Sequence, residues 1–422
     1  MSNDVAVQET SEPNADARAA GDQNENPCFS TFGVSQATVE ALRARGIDAT
    51  FPIQALVLPD AIAGRDVLAK SRTGSGKTLG FAVPMVERLV HDRKSPTALV
   101  LVPTRELATQ VAEEFMAIAG SKKLKVATVY GGTSVAGQGK AARDADILVA
   151  TPGRMIDLVN RRMVTLERVR IAVLDEADRM LDMGFLPDVN KILAMLPQEG
   201  RQTMMFSATL DGEVGRLAKR YTQNPARHEI ADTRPVVETA DHRFITVEQH
   251  GKVQALINEL NEERGRTLIF VRTKRGADRL ASSLKTHGFT AQALHGDMRQ
   301  QQREKALERF EEGTHDVLVA TDVAARGLDI DGITHVVNYD PPEDDKGYVH
   351  RIGRTARAGR SGVGITLVLP DQRFDVSRLA ARLKLHDELT ASGMKVHAPR
   401  SVFTTRGKGR NSLLGRRPKR RF

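Results

Sequence analysis

Short runs of apolar residues recur along most of this chain and alternate with segments of helical periodicity. The runs are DVLAK 66–70, TALVLV 97–102, DILVA 146–150, RIAVL 170–174, TMMF 203–206, TLIFV 267–271, DVLVA 316–320, HVVNY 335–339 and GITLVL 364–369. Helical spacing of apolar residues occurs in 104–119, 273–287 and 299–312. Continuous apolar strands are typical of sheets buried on both faces, and alternation with helices favours parallel sheets. We therefore predict an α/β fold.

Residues 223–241 interrupt this rhythm, because they contain two prolines and little periodicity. We predict that they link two α/β domains, 29–222 and 242–388. Each of these is long enough to bury its own core. The flanking segments 1–28 and 389–422 have few large apolar groups in periodic positions, so we expect disordered tails.

The formal net charge of +9 is unevenly distributed along the 422 residues. Residues 1–28 carry a net charge of −5, whereas residues 389–422 carry +10 and no acidic residue. This asymmetry favours a basic arm for nucleic acid or another polyanion, and the alternative is a tail that only aids solubility.

Composition also narrows the class and location of the protein. We find no apolar run of about 18 residues, so a membrane-spanning helix is not expected. The N-terminal residues are acidic and polar, without the apolar region of a secretory signal. The single cysteine, Cys28, allows no internal disulfide bond, which fits a cytoplasmic protein.

Polar and charged residues follow one predicted strand after another. They stand in LVPTRE, VATPGR, VLDEAD, FSAT, FVRT and VATDVAARG. The carboxyl ends of parallel strands lie along one edge of a sheet, and ligands bind at that edge. The pattern therefore predicts a binding site rather than a purely structural protein.

The segment SRTGSGKT 71–78 is close to the phosphate-binding pattern G-x-x-x-x-G-K-[ST], with Ser71 in place of the first glycine. It lies between a predicted strand and a predicted helix, as a phosphate-binding loop requires. Lys77 would reach the β and γ phosphates, and Thr78 would bind Mg²⁺. The alternative is a glycine-rich turn. The predicted nucleotide-binding residues of this loop are Ser71, Arg72, Thr73, Gly74, Ser75, Gly76, Lys77 and Thr78.

Two further segments complete a predicted nucleoside triphosphatase site. In VLDEAD, Asp175 would hold Mg²⁺ and Glu176 would deprotonate the attacking water, although acidic residues also favour a solvated helix start. In HRIGRTAR, Arg351, Arg354 and Arg357 would share one helix face and could supply arginine fingers to the γ phosphate. The alternative there is a solvated basic face.

Taken together, the motifs resemble DEAD-box RNA helicases of helicase superfamily 2, from about Phe29 to about residue 375. They occur in the family's order: GIDATFPIQ, SRTGSGKT, PTRELA, GG, TPGR, DEAD, SAT, LIFVRT, ATDVAARGLDI and HRIGRTAR. The resemblance implies two tandem RecA-like domains with a cleft between them. The short, basic-tailed layout is similar to bacterial RhlE-type members.

The resemblance also implies roles for individual residues. Gln54 matches the residue that reads the adenine edge, Phe29 the aromatic that stacks on the base, and Asp329 the ribose-binding aspartate. Arg354 and Arg357 match the arginine fingers. The residues that match those coupling hydrolysis to RNA binding are Asp178, Ser207, Thr209 and His350. The residues that match contacts to the RNA backbone are Arg105, Gly132, Thr151, Arg154, Arg272 and Thr321.

Three positions depart from the family's pattern. Ile47 replaces the usual aromatic after the glycine of the adenine motif, and Phe51 replaces the usual threonine before the proline. Both keep an apolar surface. Ala356 replaces a common glycine between the arginines, which a helix should tolerate.

The implied activity is an ATP-dependent RNA helicase that uses ATP and Mg²⁺ to separate short RNA duplexes. The alternatives are an ATP-locked RNA clamp with slow turnover, a DNA translocase, and a scaffold without catalysis. Expected partners are single-stranded and duplex RNA, with ribosomal precursors, structured mRNA and RNA awaiting decay as candidates. No membrane partner and no stable DNA complex are expected.

Overall fold

A computed structural model of the chain describes residues 26–71, 75–91, 96–230, 240–325, 330, 332–355 and 361–396. These residues form two separate parallel sheets with helices packed on both faces. The predicted α/β class is therefore confirmed. No helix in the described part of the chain is both long and apolar enough to cross a membrane.

The first sheet has seven parallel strands in the order β3-β4-β2-β5-β6-β1-β7. The strands are β1 Val67–Lys70, β2 Ala98–Leu101, β3 Val126–Val129, β4 Ile147–Ala150, β5 Ile171–Leu174, β6 Gln202–Ser207 and β7 Ala226–Glu229. Successive side chains point to opposite faces, so Val67 and Ala69 lie in one core and Leu68 in the other. Both faces are thus buried, as the continuous apolar runs predict.

Helices from the first domain cover both faces of this sheet. They are Gln36–Arg43, Pro52–Ile62, Lys77–Arg88, Arg105–Ala119, Val135–Asp144, Pro152–Asn160, Ala177–Asp182, Leu186–Met195 and Gly212–Tyr221. The helix Arg105–Ala119 begins after Thr104, whose hydroxyl accepts a hydrogen bond from the Leu107 N–H at 3.3 Å. Such a cap satisfies an N–H that has no partner inside the helix.

The second sheet has six parallel strands in the order β10-β11-β9-β12-β13-β8. The strands are β8 Ala240–Thr246, β9 Arg266–Phe270, β10 Ala291–Leu294, β11 Val317–Ala320, β12 Ile333–Asn338 and β13 Gly362–Val368. The accompanying helices are Lys252–Asn261, Lys274–Thr286, Gln300–Glu311, Asp322–Ala325, Asp345–Ile352, Arg373–Arg382 and His386–Ala391. Thr273 caps Lys274–Thr286 through the Gly276 N–H at 3.0 Å, as Thr104 does in the first domain.

The domain boundaries differ from the sequence prediction at three places. The predicted linker 223–241 contains all of β7 and the start of β8, so only 231–239 lies outside the described residues. The predicted basic tail begins too early, because Leu389 is fully buried and Met394 packs in the same core. At the other end, the Thr50 N–H donates to the Pro27 carbonyl at 2.9 Å. Residues 1–25 and 397–422, most of both predicted tails, lie outside the described residues.

The four strands missing from the sequence prediction are β3, β7, β8 and β10, and each is an edge strand of its sheet. An edge strand is less buried, so its sequence need not be continuously apolar. The sequence of β7, ARHE, contains three polar residues, and only Ala226 is buried there. The spacing and number of apolar residues in the sequence therefore identify central strands better than edge strands.

Candidate active site

The phosphate-loop segment joins β1 to the helix Lys77–Arg88. Ser71 is buried directly after β1, and its N–H donates to the Ser207 carbonyl at 3.0 Å. Gly76 has φ +78°, a left-handed conformation that glycine adopts without strain. Arg72, Thr73 and Gly74 lie outside the described residues, so their predicted role stays a prediction.

Lys77 lies close to Asp175, which follows β5. The Lys77 Nζ is 3.6 Å from Asp175 Oδ1, and both side chains are buried. Burial raises the pKa of the Asp175 carboxyl to about 6, in spite of the nearby Lys77. A buried carboxylate with this little compensation fits a divalent cation, whose charge would favour the ionised form. Thr78 lines the same cavity as Asp175, so the predicted pair of Mg²⁺ ligands is brought together.

Glu176 has an unusual backbone conformation at the start of the helix Ala177–Asp182. Its φ is +51° and its ψ is +49°, a left-handed conformation that is uncommon outside glycine. Its carboxylate forms a buried ion pair with Arg179. Burial alone would raise the pKa of Glu176, but Arg179, Lys77 and Arg354 together lower it below its usual value. The side chain is therefore held as a carboxylate, the form that can accept a proton.

A cavity of about 350 Å³ lies beside these groups in the first domain. It is lined by Ile47, Phe51, Gln54, Gly76, Lys77, Thr78, Leu79, Leu107, Gln110, Val111, Glu113, Glu114, Asp175 and Glu176. The Gln54 amide bridges two parts of the wall, because Nε2 donates to the Gly76 carbonyl at 2.7 Å and Oε1 accepts from the Phe51 N–H at 2.9 Å. Gln54 is thus tied to the phosphate loop, within the cavity where a nucleotide would lie.

A second cavity, of about 340 Å³, lies between the two domains. Its lining from the first domain is Lys77, Glu176, Asp178, Arg179, Asp182, Ala208 and Thr209, and from the second domain Asp345, Lys346, Val349, His350, Gly353 and Arg354. The structure therefore brings Arg354 and His350 opposite Lys77 and Glu176. This arrangement places a basic group of the second domain near Glu176, the predicted proton acceptor of the first.

Asp178 links the residues after β5 to the segment after β6. The Asp178 N–H donates to Ser207 Oγ at 3.2 Å, and Asp178 Oδ2 accepts from the Ala208 N–H at 3.2 Å. The Thr209 N–H also donates to Ser207 Oγ, at 3.4 Å. These reciprocal bonds connect Asp178, Ser207 and Thr209, and His350 lines the same cavity as Asp178 and Thr209.

The first-domain residues predicted to contact RNA gather at the carboxyl ends of β2, β3 and β4. The Arg105 guanidinium packs against the Gly131–Gly132 turn, where a Cβ on Gly131 would lie 3.3 Å from Nη2. Arg154 Nη1 donates to the Thr133 carbonyl at 3.2 Å and to Gln138 Oε1 at 2.8 Å. Thr151 precedes the helix that carries Arg154 and is buried.

The two second-domain residues predicted to contact RNA lie at the equivalent edge of the second sheet. Arg272 follows β9, and its N–H donates to Asp340 Oδ2 at 2.8 Å. Thr321 follows β11, and its N–H donates to the Leu294 carbonyl at 3.2 Å. Thr321 is buried, whereas Arg272 is exposed.

An ion pair between Glu106 and Arg303 joins the predicted RNA-contacting edges of the two domains. Arg303 Nε donates to Glu106 Oε1 at 2.7 Å, and Arg303 Nη1 donates to the His295 carbonyl at 3.1 Å. Glu106 is adjacent to Arg105, and His295 is adjacent to Leu294. Both members of the pair are buried. The contact therefore fixes how the two predicted RNA-binding edges lie relative to each other.

Comparison with known proteins agrees with this geometry. The family model for the DEAD/DEAH box helicase matches residues 51–217, and that for the helicase conserved C-terminal domain matches 251–359. The DEAD-box ATP-dependent RNA helicase CshA of Bacillus subtilis (strain 168) is 41% identical over 347 residues, which are 82% of this chain and 70% of that protein. The chain belongs to the DEAD-box helicase family.

Other similar proteins also match more than four-fifths of this chain. CshA of Geobacillus kaustophilus (strain HTA426) is 42% identical over 344 residues, or 81% of this chain and 73% of that protein. S. cerevisiae Dbp5 bound to RNA and ADP BeF3 has a TM-score of 0.74 at 31% identity, covering 86% of this chain and 94% of that one. A DEAD box protein from Methanococcus jannaschii has a TM-score of 0.51 at 36% identity, covering 85% and 98%. The two RecA-like domains are thus confirmed, and the RhlE-type likeness stays a prediction.

The structure buries Phe29, the residue that the family resemblance matches to the base-stacking aromatic. Its ring is 1% exposed and packs in the core of the first domain with Val34, Val39 and Leu42. A ring enclosed in this way presents little surface in this structure, and the stacking role of Phe29 stays a prediction. The aromatic residue in the cavity lining is Phe51.

The arginines of HRIGRTAR also differ from prediction. The helix Asp345–Ile352 ends before Arg354, so Arg351 and Arg354 do not share a helix face. Arg351 is buried in an ion pair with Asp322, with Nε 2.6 Å from Oδ1, and it donates to Asn338 Oδ1 at 3.0 Å. It therefore supports the second domain and does not line the cleft cavity. Arg357, Ala356 and Asp329 lie outside the described residues.

Three residues at the site were not predicted from the sequence: Arg179, Glu106 and Arg303. Arg179 is three residues after Glu176, and this helical spacing could have indicated the pair. Glu106 and Arg303 are 197 positions apart in different domains. No sequence pattern indicates that contact, because it depends on how the domains dock.

Proposed function

We propose that this DEAD-box ATP-dependent RNA helicase links ATP hydrolysis to closure of its two domains on RNA and so separates short duplexes locally. The proposal rests on the cavity between the domains, where Lys77 and Glu176 face His350 and Arg354. A nucleotide in that cavity would contact both domains. Its binding and its hydrolysis would therefore change how firmly the domains hold together.

The groups in the cleft have the chemistry that phosphoryl transfer to water requires. Glu176 would orient the attacking water and accept its proton, since its neighbours keep it ionised. Lys77 would bind the β and γ phosphates, and Arg354 together with Arg357 would stabilise charge that develops on the γ phosphate. Thr78 and Asp175 would hold Mg²⁺, which would neutralise phosphate charge.

The predicted RNA-binding residues support recognition of the sugar–phosphate backbone. Arginine side chains, threonine hydroxyls and glycine N–H groups bind phosphate and ribose without reading bases. We expect binding with little sequence preference that weakens as salt rises. The TM-score of 0.74 against Dbp5 bound to RNA and ADP BeF3, over 86% of this chain, supports a domain arrangement that suits RNA.

Stopped-flow unwinding of a short RNA duplex tests the proposal. Under single-turnover conditions, we expect strand release with ATP and also with a non-hydrolysable ATP analogue, whereas multiple turnovers should need hydrolysis. A DNA duplex of the same sequence serves as the control, since the proposal predicts weak stimulation by DNA. A complete absence of strand release with the analogue would contradict closure as the step that separates strands.

The clamp remains the second candidate function, and one observation favours it. The Glu106–Arg303 ion pair is buried between the domains and specifies one docked arrangement, which a clamp would keep while RNA is bound. Measuring RNA dissociation and ATP turnover on the same sample separates the two functions. A helicase should release RNA about once for each ATP hydrolysed, whereas a clamp should hold RNA through slow turnover.

We place the activity in the cytoplasm, where ATP and RNA are both available. The RNA targets proposed are ribosomal precursors, structured mRNA and RNA awaiting decay. Crosslinking in cells, followed by sequencing of the bound RNA, would identify the target. Cell fractionation would test the location.

A further inference from the structure

One aromatic side chain of the first domain is exposed where the nucleotide cavity opens. Phe51 is 51% exposed and lines the cavity with Ile47, Gln54 and Lys77. Within the described residues, the other exposed phenylalanine is Phe374, which lies in the second domain with the Arg378 guanidinium over its ring. Exposed aromatic surface in a cavity is typical of a ligand-binding wall.

The position of Phe51 is fixed relative to the phosphate loop. Its N–H donates to Gln54 Oε1 at 2.9 Å, and Gln54 Nε2 donates to the Gly76 carbonyl at 2.7 Å. The ring itself packs against the loop, because a Cβ on Gly76 would lie 2.7 Å from Phe51 Cδ2. The aromatic face is therefore held at a set distance from the residues that would bind phosphates.

Among the residues that the structure describes, Phe51 is the aromatic residue that lines this cavity. Phe29 is enclosed in the core, and position 47 is an isoleucine. The Gln54 amide is fully buried and already bonded to the chain at both ends, whereas the Phe51 side chain beside it is exposed. A planar nucleobase has an apolar face that such a ring can cover.

We propose that Phe51 stacks on the base of the bound nucleotide and thereby supplies the base-dependent part of its affinity. This inference rests on the proposed function, since it assumes that the cavity binds ATP. Stacking does not depend on the hydrogen-bonding edge of the base. Phe51 should thus strengthen binding of any nucleoside triphosphate and leave the contacts to the phosphates unchanged.

Equilibrium binding of two ligands separates base contacts from phosphate contacts. ATP carries a base, whereas inorganic tripolyphosphate carries none, and both are measured with Mg²⁺ present. Phe51→Ala should weaken ATP binding roughly tenfold and leave tripolyphosphate binding within about twofold. The substitution keeps the N–H that Gln54 accepts from. Phe374→Ala, which removes the other exposed ring, is the matched control and should leave both affinities unchanged.

Two further variants test whether an aromatic ring is needed. Phe51→Tyr should bind ATP within about twofold of the original chain, whereas Phe51→Leu should lose most of the affinity that Phe51→Ala loses. Equal ATP affinities for the leucine and tyrosine variants would overturn the inference, and so would an alanine variant that binds ATP normally. If the original chain bound neither ligand, both this inference and the proposed function would fail.

Discussion

The two domains meet at two places of opposite character. On the nucleotide side, a cavity of about 340 Å³ separates charged groups of both domains. On the side of the predicted RNA contacts, Glu106 and Arg303 form a direct ion pair, with a nitrogen–oxygen distance of 2.7 Å and no room between them. The first meeting place thus has room for a ligand between the domains, whereas at the second the two domains are in direct contact.

The two contacts would therefore have different roles: the ion pair would position the domains, and the cavity would hold the reacting groups. A buried ion pair adds little net stability, because both charges regain water when the domains part, but it specifies a single docked geometry. In the cavity, we expect Arg354 to reach the phosphates of a nucleotide only when that geometry is present. The Glu106–Arg303 pair would thus define the closed arrangement, and the nucleotide would make it catalytic.

Removing the Arg354 guanidinium, which the second domain contributes to the cavity, should have the largest effect. Arg354→Ala should lower the RNA-stimulated kcat by about 10³-fold, since an arginine that stabilises transition-state charge is worth at least that much. Binding of ATP should change far less. Steady-state ATPase kinetics with RNA, paired with nucleotide titration, measure both. Arg216→Ala, at an arginine whose side chain is 73% exposed, is the control, and an equal loss there would contradict the role of Arg354.

Changing Glu176, the proposed proton acceptor of the first domain, should have the next largest effect. Glu176→Gln keeps the shape but loses the proton acceptor, so kcat should fall by roughly 10²-fold or more while ATP and RNA stay bound. The same measurements on Asp182→Asn, a carboxylate that lines the cavity outside the proposed chemistry, give a reference. Normal hydrolysis by the Glu176→Gln variant would show that another group accepts the proton.

The contrast between centre and edge explains how far the sequence predicts the fold. Strands at the centre of either sheet are continuously apolar, so β1, β2 and β4 follow directly from their sequences. The edge strands β7 and β8 are partly exposed to solvent, and their polar sequences resemble those of loops. The predicted linker is therefore too long at both ends. A strand that is buried on both faces has a continuously apolar sequence, and for this reason it can be predicted from sequence.

A similar division applies to the site. Lys77, Asp175 and Glu176 are local to motifs whose chemistry dictates residue type, so sequence reasoning finds them. The stacking role of Phe29 stays a prediction, and its burial was not foreseen because residue type alone does not distinguish a core ring from an exposed one. The Glu106–Arg303 contact depends on how the two domains dock, and a local sequence pattern does not predict which residues meet between domains.

Breaking the ion pair should reduce RNA stimulation and leave basal ATP binding intact. Glu106→Leu or Arg303→Met alone leaves an unpaired buried charge in the closed form, which should lower RNA stimulation of ATPase about tenfold or more. The double variant should recover part of that loss. A double loss equal to the product of the two single losses would mean that the residues act independently.

A matched ion pair within one domain provides the control for that cycle. Arg264 Nη2 lies 2.7 Å from Asp316 Oδ2, far from either contact between the domains. Asp316→Asn should lower the melting temperature of the second domain without changing RNA stimulation. If it reduced stimulation as much as the Glu106 variant does, the effect would be one of stability and not of docking.

The smallest effect is expected at the hydrogen bonds that link Asp178 to the segment after β6. Ser207→Ala removes the acceptor of the Asp178 and Thr209 N–H groups, each bond worth about 1 kcal/mol, or roughly fivefold in an equilibrium. Since this segment lies on the cavity beside Glu176 but carries no catalytic group, ATPase should fall less than strand release. Ser121→Ala, at a serine whose hydroxyl donates to the Ile118 carbonyl at 2.6 Å and lies 3.5 Å from Thr38 Oγ1, is the control. Comparing strands released per ATP hydrolysed measures the coupling directly, and an unchanged ratio would show that Ser207 serves only to hold the loop.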